Sequence, residues 1–259
     1  MSVIKFNEVT FNYQNADTIL NKISFNIEEQ TTTVVLGKNG SGKSTLLKLL
    51  MNFEKPKSGV IYLNDKPLDE YSILERSKQV AYVGQDIFNQ FDFSVEDYLL
   101  FGVTNALGMF KSPKKEHYEK VNEFVTKFDI KYLINKKMDQ ISGGEKQIVM
   151  ICKAFIQGSK IIVLDEPLSA LDFTNQNKIL RLLKVIKNED KTIVFTTHNP
   201  NHALYLDSNV LLIDHNEIVI NGKARSELTL ENLSKVYGDT IGFSSEHSYN
   251  EFSIKNDEI

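Results

Sequence analysis

Apolar and polar residues alternate over the first part of the chain. Val3-Ile4-Lys5-Phe6, Val9-Thr10-Phe11 and Ile23-Ser24-Phe25-Asn26-Ile27 carry β-branched and aromatic residues with turn-forming Asn and Asp between them, which predicts strands. Thr32-Thr33-Val34-Val35-Leu36 is denser, stops at Gly37, and predicts a buried strand. A glycine-rich stretch to Thr45 follows, then Leu46-Leu47 and Leu49-Leu50-Met51, so the order is strand, glycine loop, helix. From about 86 to 158 the period changes. Val95, Leu99 and Leu100 keep helical spacing after Ser94, an N-cap with Asp97 three residues on. Tyr118, Val121, Phe124, Val125 and Phe128 keep it too, so this stretch predicts a mostly helical insertion. Then Ile161–Leu164 predicts a strand, 176–186 a helix, Thr192–Thr197 a strand and 210–213 another. Strands alternating with helices predict an α/β fold with a parallel sheet covered on both faces. The residues from 244 to 259 are polar and predict a frayed tail.

Composition narrows the classes. The 259 residues are 41% hydrophobic and 25% charged, as in ordinary globular chains. A net charge of -4 excludes a nucleic-acid binder that works by bulk positive charge. The single cysteine, Cys152, excludes a disulfide framework and a cysteine zinc site, and reads as a small core residue. Only His198 and His202 among the five histidines lie close in sequence, with no His-Glu-x-x-His pattern. The first residues carry no apolar core of a secretory signal, and no stretch approaches the roughly 18–20 apolar residues that span a bilayer. Docking on a membrane stays open.

Gly37-Lys38-Asn39-Gly40-Ser41-Gly42-Lys43-Ser44 fits G-x-x-x-x-G-K-[ST] at every fixed position. Glycines let the backbone wrap a phosphate with its N–H groups pointing inward, and the next helix aims its positive end at the anion. Lys43 suits the β- and γ-phosphates and Ser44 suits Mg²⁺. Ile161–Leu164 ends at Asp165-Glu166, at the strand edge where parallel sheets bind ligands. Neighbouring strand residues point opposite ways, so the two acids take different roles. Asp165 suits Mg²⁺ and its waters, and Glu166 suits a base for an attacking water. Alone, such a pair is an ordinary strand-to-loop junction; beside a phosphate loop it is a candidate site. Ile141-Ser142-Gly143-Gly144-Glu145-Lys146-Gln147 opens a helix with Ile148, Ile151, Cys152 and Phe155 on one face. Ser142, Gly143 and Gly144 would crown a second anion-binding helix start. An ordinary capped helix is the plain alternative. Two such starts for one nucleotide point to a second start that serves a neighbour's nucleotide. His198 ends a strand, where an imidazole can bond a γ-phosphate and Glu166. His202, four residues on, falls on the next helix and takes no role.

With these motifs in order, residues 1 to 243 resemble the nucleotide-binding subunit of an ATP-binding cassette (ABC) transporter, with 244–259 a tail. Ser169-Ala170-Leu171-Asp172, His198 after Thr196-Thr197, Gln85 in Tyr82-Val83-Gly84-Gln85 and Tyr13 in Phe11-Asn12-Tyr13 complete the match. Ile141 stands for the usual Leu of the signature, and Glu145-Lys146 for the usual Gln and Arg or Lys. The resemblance implies a P-loop NTPase core of mostly parallel sheet with flanking helices, an N-terminal antiparallel β subdomain, and a helical subdomain inserted at about 86–158. It implies ATP held by Tyr13, Gly37, Lys38, Asn39, Gly40, Ser41, Gly42, Lys43, Ser44 and Thr45. Ser142, Gly143, Gly144 and Asp172 would face the opposite subunit's ATP. Ser44, Gln85 and Asp165 would hold Mg²⁺, and Glu166, His198 and Gln85 would serve catalysis. It further implies permease subunits in the membrane, docked near Gln85 and Asp86 on its cytoplasmic face. A second copy or a paralogous ATPase would complete the dimer. An extracytoplasmic substrate-binding protein would act indirectly, and nucleic acid would have no part.

Leu171–Gln176, 197–203 and 102–113 are similar to importers of iron-siderophore complexes, haem, cobalamin and molybdate. An assembly ATPase, as in iron–sulfur cluster biogenesis, is the competing function. DNA-repair ATPases of the family carry long coiled coils or zinc modules, which this sequence lacks. A small GTPase would want Asn-Lys-x-Asp, and Asn135-Lys136-Lys137-Met138 fails at the acid.

Overall fold

The computed structural model describes residues 1–14, 16–84, 93–103, 112–238, 241–244 and 251–254. Its elements run β1 (Ser2–Phe11), β2 (Leu20–Glu28), β3 (Thr32–Leu36), α1 (Lys43–Leu50), β4 (Ser58–Leu63) and β5 (Lys66–Pro67). Then come α2 (Ile73–Gln79), β6 (Val80–Val83), α3 (Val95–Leu100), α4 (Lys115–Lys127), α5 (Gly143–Ile156), β7 (Ile161–Leu164) and α6 (Phe173–Lys187). The chain continues with β8 (Thr192–Thr197), α7 (Pro200–Tyr205), β9 (Asn209–Asp214), β10 (Glu217–Lys223), α8 (Ala224–Glu227), α9 (Leu230–Tyr237), β11 (Ile241–Ser244) and β12 (Glu251–Ile254). They divide into two units, residues 1–70 with 194–259, and residues 71–193.

In the first unit, β2-β1-β4-β5 form a four-stranded antiparallel sheet. Its buried face is Ile4, Phe6, Val9 and Phe11 with Ile23, Phe25 and Ile27. Phe6 and Phe25 pair across strands with rings stacked 4.5 Å apart. The two runs expected as separate strands, 3–6 and 9–11, are one strand with a bulge. The register slips between Phe6 and Val9. Glu8 there takes φ 49, and its N–H donates to Ser24 Oγ at 2.8 Å. The extra residue switches the inward face from even to odd numbers. Gly59 on β4 packs against this bulge at φ 84, where a Cβ would stand 2.3 Å from the Glu8 carbonyl oxygen.

The same unit holds strands in the order β10-β9-β3-β8, with β8 entering from Val194 on. β3 and β9 are parallel, Val34 opposite Val210 and Leu36 opposite Leu212. β9 and β10 form a hairpin whose turn residues, His215 and Asn216, both have positive φ, as a type I′ turn requires. Residues 241–244 pair antiparallel with 251–254, Ile241 opposite Ile254. The polar tail expected from 244 on therefore contains a strand.

In the second unit, β6 and β7 are parallel, Val80 opposite Ile161 and Val83 opposite Leu164. All four residues of β7 are buried, which is why it reads as a continuous apolar run. The helices expected within 86–158 are there. Ser94 caps α3, accepting from the Asp97 N–H at 3.0 Å and donating to its carboxylate at 2.6 Å. α3 buries Val95, Leu99 and Leu100, and α4 buries Val121 and Val125. α5 buries Ile148, Ile151, Cys152 and Phe155, with Phe155 edge-on to Phe124 at 5.0 Å. Cys152 is a core residue, as expected, and burial pushes its thiol up. Among the described residues, no helix is long and apolar enough to cross a membrane.

Candidate functional site

In the first unit, the phosphate loop joins β3 to α1. β3 is fully buried and α1 buries Leu46, Leu47, Leu49 and Leu50, so both ends of the loop are anchored in core. Gly42 caps α1 in the left-handed region at φ 101, ψ 6, and a Cβ there would meet Ile19 Cγ2 at 3.0 Å. Only glycine takes that conformation at no steric cost. Lys38, Asn39 and Gly40 are exposed, Ser41 and Ser44 half-buried and Thr45 buried. Lys43 is 4% exposed, and its Nζ donates to the carbonyl oxygens of Gly37 and Lys38, each at 3.0 Å. The ammonium thus lies across the loop's own backbone at the positive end of α1.

Tyr13 is half-buried, edge-on to Phe11 at 5.0 Å, with Lys48 Nζ 6.0 Å from its ring centre. Behind the loop stands Tyr237 on α9. Its buried hydroxyl faces the Gly37 amide, and burial, with the Asp214 charge adding, pushes it up to about 12. No motif marks this tyrosine, which follows the phosphate loop by most of the chain.

His198 is exposed and directly follows β8. Before it, Thr197 Oγ1 lies 2.9 Å from His202 Nδ1 and accepts from the Asn199 N–H at 3.2 Å. His202 is buried on α7, as its spacing predicted, and burial first, then the His198 charge, lowers it to about 4.

In the second unit, Asp165 is 5% exposed and its N–H donates to the Val83 carbonyl at 2.9 Å. The strand itself stops at Leu164. Glu166 is half-buried with φ 46, and its carbonyl accepts from Ser169 N at 3.1 Å and Ser169 Oγ at 2.9 Å. Strand alternation was expected to separate the two acids; a left-handed turn starting at Glu166 follows the strand instead. Gln176 Nε2 fixes the following loop by donating to the carbonyls of Leu168 and Leu171 at 3.3 and 3.0 Å.

Ser142 caps α5. Its Oγ accepts from the Glu145 N–H at 3.3 Å, and Glu145 Oε2 takes the Ser142 N–H at 2.8 Å and the Oγ–H at 2.9 Å. The Ser142 N–H holds the Glu145 carboxyl below its usual range, helped by the Ser142 hydroxyl, the Tyr132 hydroxyl and the Lys136 charge, against partial burial. Glu145, which stands where the signature usually has Gln, is thus the other half of a capping box. Gly143 is exposed and Gly144 buried. Asp172 caps α6, accepting from Asn175 N at 2.9 Å and Asn175 Nδ2 at 2.7 Å, and the first of these bonds holds its carboxyl low. A Cβ on Gly144 would lie 2.5 Å from Asn175 Cγ, so Asn175 brings the signature start and Asp172 together. Gln85 and Asp86 lie outside the described residues.

The family model for ABC transporter matches residues 20–169. An ABC transporter ATP-binding protein of Haemophilus influenzae is 36% identical over 85% of this chain and 84% of its own. An iron chelatin transport ATP-binding protein of Helicobacter pylori is 30% identical over 91% and 92%. Among solved structures, an inward-facing metal-chelate type ABC transporter has TM-score 0.85 and 28% identity, covering 98% of this chain and 97% of that one. An ATP-binding cassette in a dimeric post-hydrolysis state bound to ADP and Pi has TM-score 0.74 and 25% identity over 86% and 99%. The α/β fold with its antiparallel β sheet is that of these cassettes. With the family matched over more than half its length, the chain belongs to the ABC transporters, as an ATP-hydrolysing subunit coupled to transport.

Proposed function

We propose that this chain binds MgATP at its phosphate loop, completes the site with the signature of a second cassette, and thereby drives a separate permease for a metal chelate. The observation that carries the reading is the loop itself, with a buried Lys43 at the head of α1 and both flanks anchored in core. Loop amides from Gly37 to Thr45 and the α1 N-terminus take the phosphates. Lys43 exchanges carbonyl partners for β- and γ-phosphate oxygens. Tyr13 stacks on the base through a π-face indifferent to its identity.

Ser44, Asp165 and Gln85 offer only oxygen donors or an amide, the hard ligands Mg²⁺ accepts beside phosphate oxygens. Bound there, the ion neutralises phosphate charge. Glu166 takes the proton of the attacking water and His198 bonds the γ-phosphate. On the second chain, Gly143 and Gly144 lie in a first helical turn, whose N–H groups have no partner within the helix. With Ser142 they face the opposite γ-phosphate, and Asp172 lines the same interface. A two-fold dimer of identical or paralogous chains repeats each contact, so it holds two ATP. Separation of the γ-phosphate loosens that dimer, and the permease receives the motion.

The similar metal-chelate transporter and iron chelatin relative support an iron-siderophore or related chelate as cargo. In this reading the chain sits on the cytoplasmic face of the membrane, and an extracytoplasmic binding protein feeds the permease. The test is co-expression with a candidate permease, reconstitution in vesicles, and ATP-dependent uptake of a ferric siderophore. Uptake with the permease copurifying supports the reading. Copurification of a soluble assembly scaffold with no uptake overturns it.

A further inference from the structure

We infer that His202 is a positioning residue for His198: it accepts the Thr197 hydroxyl proton at Nδ1 and so fixes the turn on which His198 stands. The inference rests on the reading of His198 above. Thr197 is the last residue of β8 and is buried, and His202 is buried beneath the same turn. A threonine hydroxyl has one proton and two acceptor sites. One acceptor site takes the Asn199 N–H at 3.2 Å. The hydroxyl keeps its proton and a second acceptor site, and His202 Nδ1 lies 2.9 Å away; in the inferred bond the proton points at Nδ1 and the ring carries its own proton on Nε2. Burial keeps the imidazole neutral, so the Nδ1 lone pair is available at neutral pH.

The rest of the turn closes around the same groups. Asn199 Oδ1 takes the Asn201 N–H at 3.0 Å, and the Asn199 carbonyl takes the His202 N–H at 3.3 Å. Pro200 opens α7 with a preset φ. His198 therefore stands between two residues tethered to one hydroxyl. Its own side chain is exposed, while its two chain neighbours are tied to each other through the Thr197 hydroxyl.

A buried histidine that only packs would affect stability and nothing else. A positioning residue affects turnover at saturating ATP, since nucleotide binding rests on the phosphate loop and Tyr13. Misplacement of a reacting group by about 1 Å costs about a hundredfold, so a loosened turn should cost about tenfold or more in kcat. His202→Leu keeps bulk and removes the acceptor; His202→Asn places an amide oxygen near the Nδ1 position; Thr197→Val keeps its shape and removes the hydroxyl, both the donor to His202 and the acceptor of the Asn199 N–H. ATP hydrolysis is measured on the full chain with each, alongside binding of a fluorescent ATP analogue. We expect H202L and T197V to lose kcat by about tenfold with KM for ATP within about twofold, H202N to recover it, and the double variant to be no worse than either single one. Parental kcat in T197V, or equal losses in kcat and analogue affinity, overturns the inference. Long-range ¹H–¹⁵N correlation of the imidazoles gives a second reading on the parental chain: a proton on Nδ1 of His202 overturns it whatever the kinetics. His198→Ala separates the two levels. If H198A hydrolyses at the parental rate, the reading of His198 itself fails; if H198A is inactive and T197V is not, the inference alone fails.

Discussion

The Cα of Gly144 lies against the carboxamide of Asn175, so close that a methyl group there would stand 2.5 Å from Cγ. That carboxamide also holds Asp172 Oδ2 at 2.7 Å. The signature helix and the Asp172 turn are therefore packed on one another at Gly144, where no room for a methyl group is left. Gly144→Ala should cost about 1–3 kcal/mol by overpacking, read from urea unfolding. Asn175→Ala should remove most of that cost, so the double variant should be more stable than the sum of the two singles. Strict additivity would show that the two residues do not press on one another.

The cap of the same helix predicts a pH dependence. Glu145 has a folded pKa below its ordinary value of 4.5 because it accepts from Ser142. A carboxyl lowered in the folded state adds stability above its unfolded value, and that stability is lost as pH falls through the folded value. Urea midpoints of the parental chain should therefore fall from pH 6 to below 4 more steeply than those of Glu145→Gln. Ser142→Ala should cost about 1 kcal/mol at neutral pH. Equal slopes for the parental chain and E145Q would contradict the capping account.

In the proposed mechanism Lys43 carries the charge that meets the phosphates. Lys43→Ala should lower ATP hydrolysis by about a hundredfold or more, the scale of a preorganised charge contact. A parental rate at saturating Mg²⁺ would refute the assignment of the loop.

Glu166 should be needed for attack by water and not for binding. Glu166→Gln keeps shape and loses the proton acceptor, so it should bind ATP, turn over very slowly and stay as a dimer on size exclusion with ATP. Removing the divalent ion with EDTA should abolish hydrolysis by the parental chain. Asp165→Asn should shift the Mg²⁺ requirement upward. Hydrolysis that survives EDTA would contradict the oxygen-ligand reading of Ser44 and Asp165.

How much of this was legible follows from what each residue touches. β7 and α5 were legible because burial imposes a continuous apolar run on one and a 3.6-residue stripe on the other. α2 was not, since it buries nothing and Ile73 is 79% exposed. β10 was not, because Ile220 alone among its residues is buried. The bulge at Glu8 broke one strand into two by shifting its parity. In the candidate site, the placements of Lys43 at the head of α1, Asp165 just past β7 and Ser142 as a helix cap were legible because local spacing along the chain sets each of them. The Asn175–Gly144 contact, Tyr237 behind Gly37, and the Thr197–His202 bond were not. They are tertiary or side-chain contacts that no periodicity announces.

The central claim, that a phosphate loop and a signature from two different chains make one site, has a direct test in mixing. Ser142→Arg and Lys43→Ala should each be nearly inactive alone. In a mixed dimer, the intact loop of the first chain meets the intact signature of the second, giving one whole site. Random mixing makes about half the dimers mixed, each with one of its two sites whole, so hydrolysis should return to about a quarter of the parental rate. A mixture as inactive as its components would contradict the account, because a site built within one chain cannot be repaired by another.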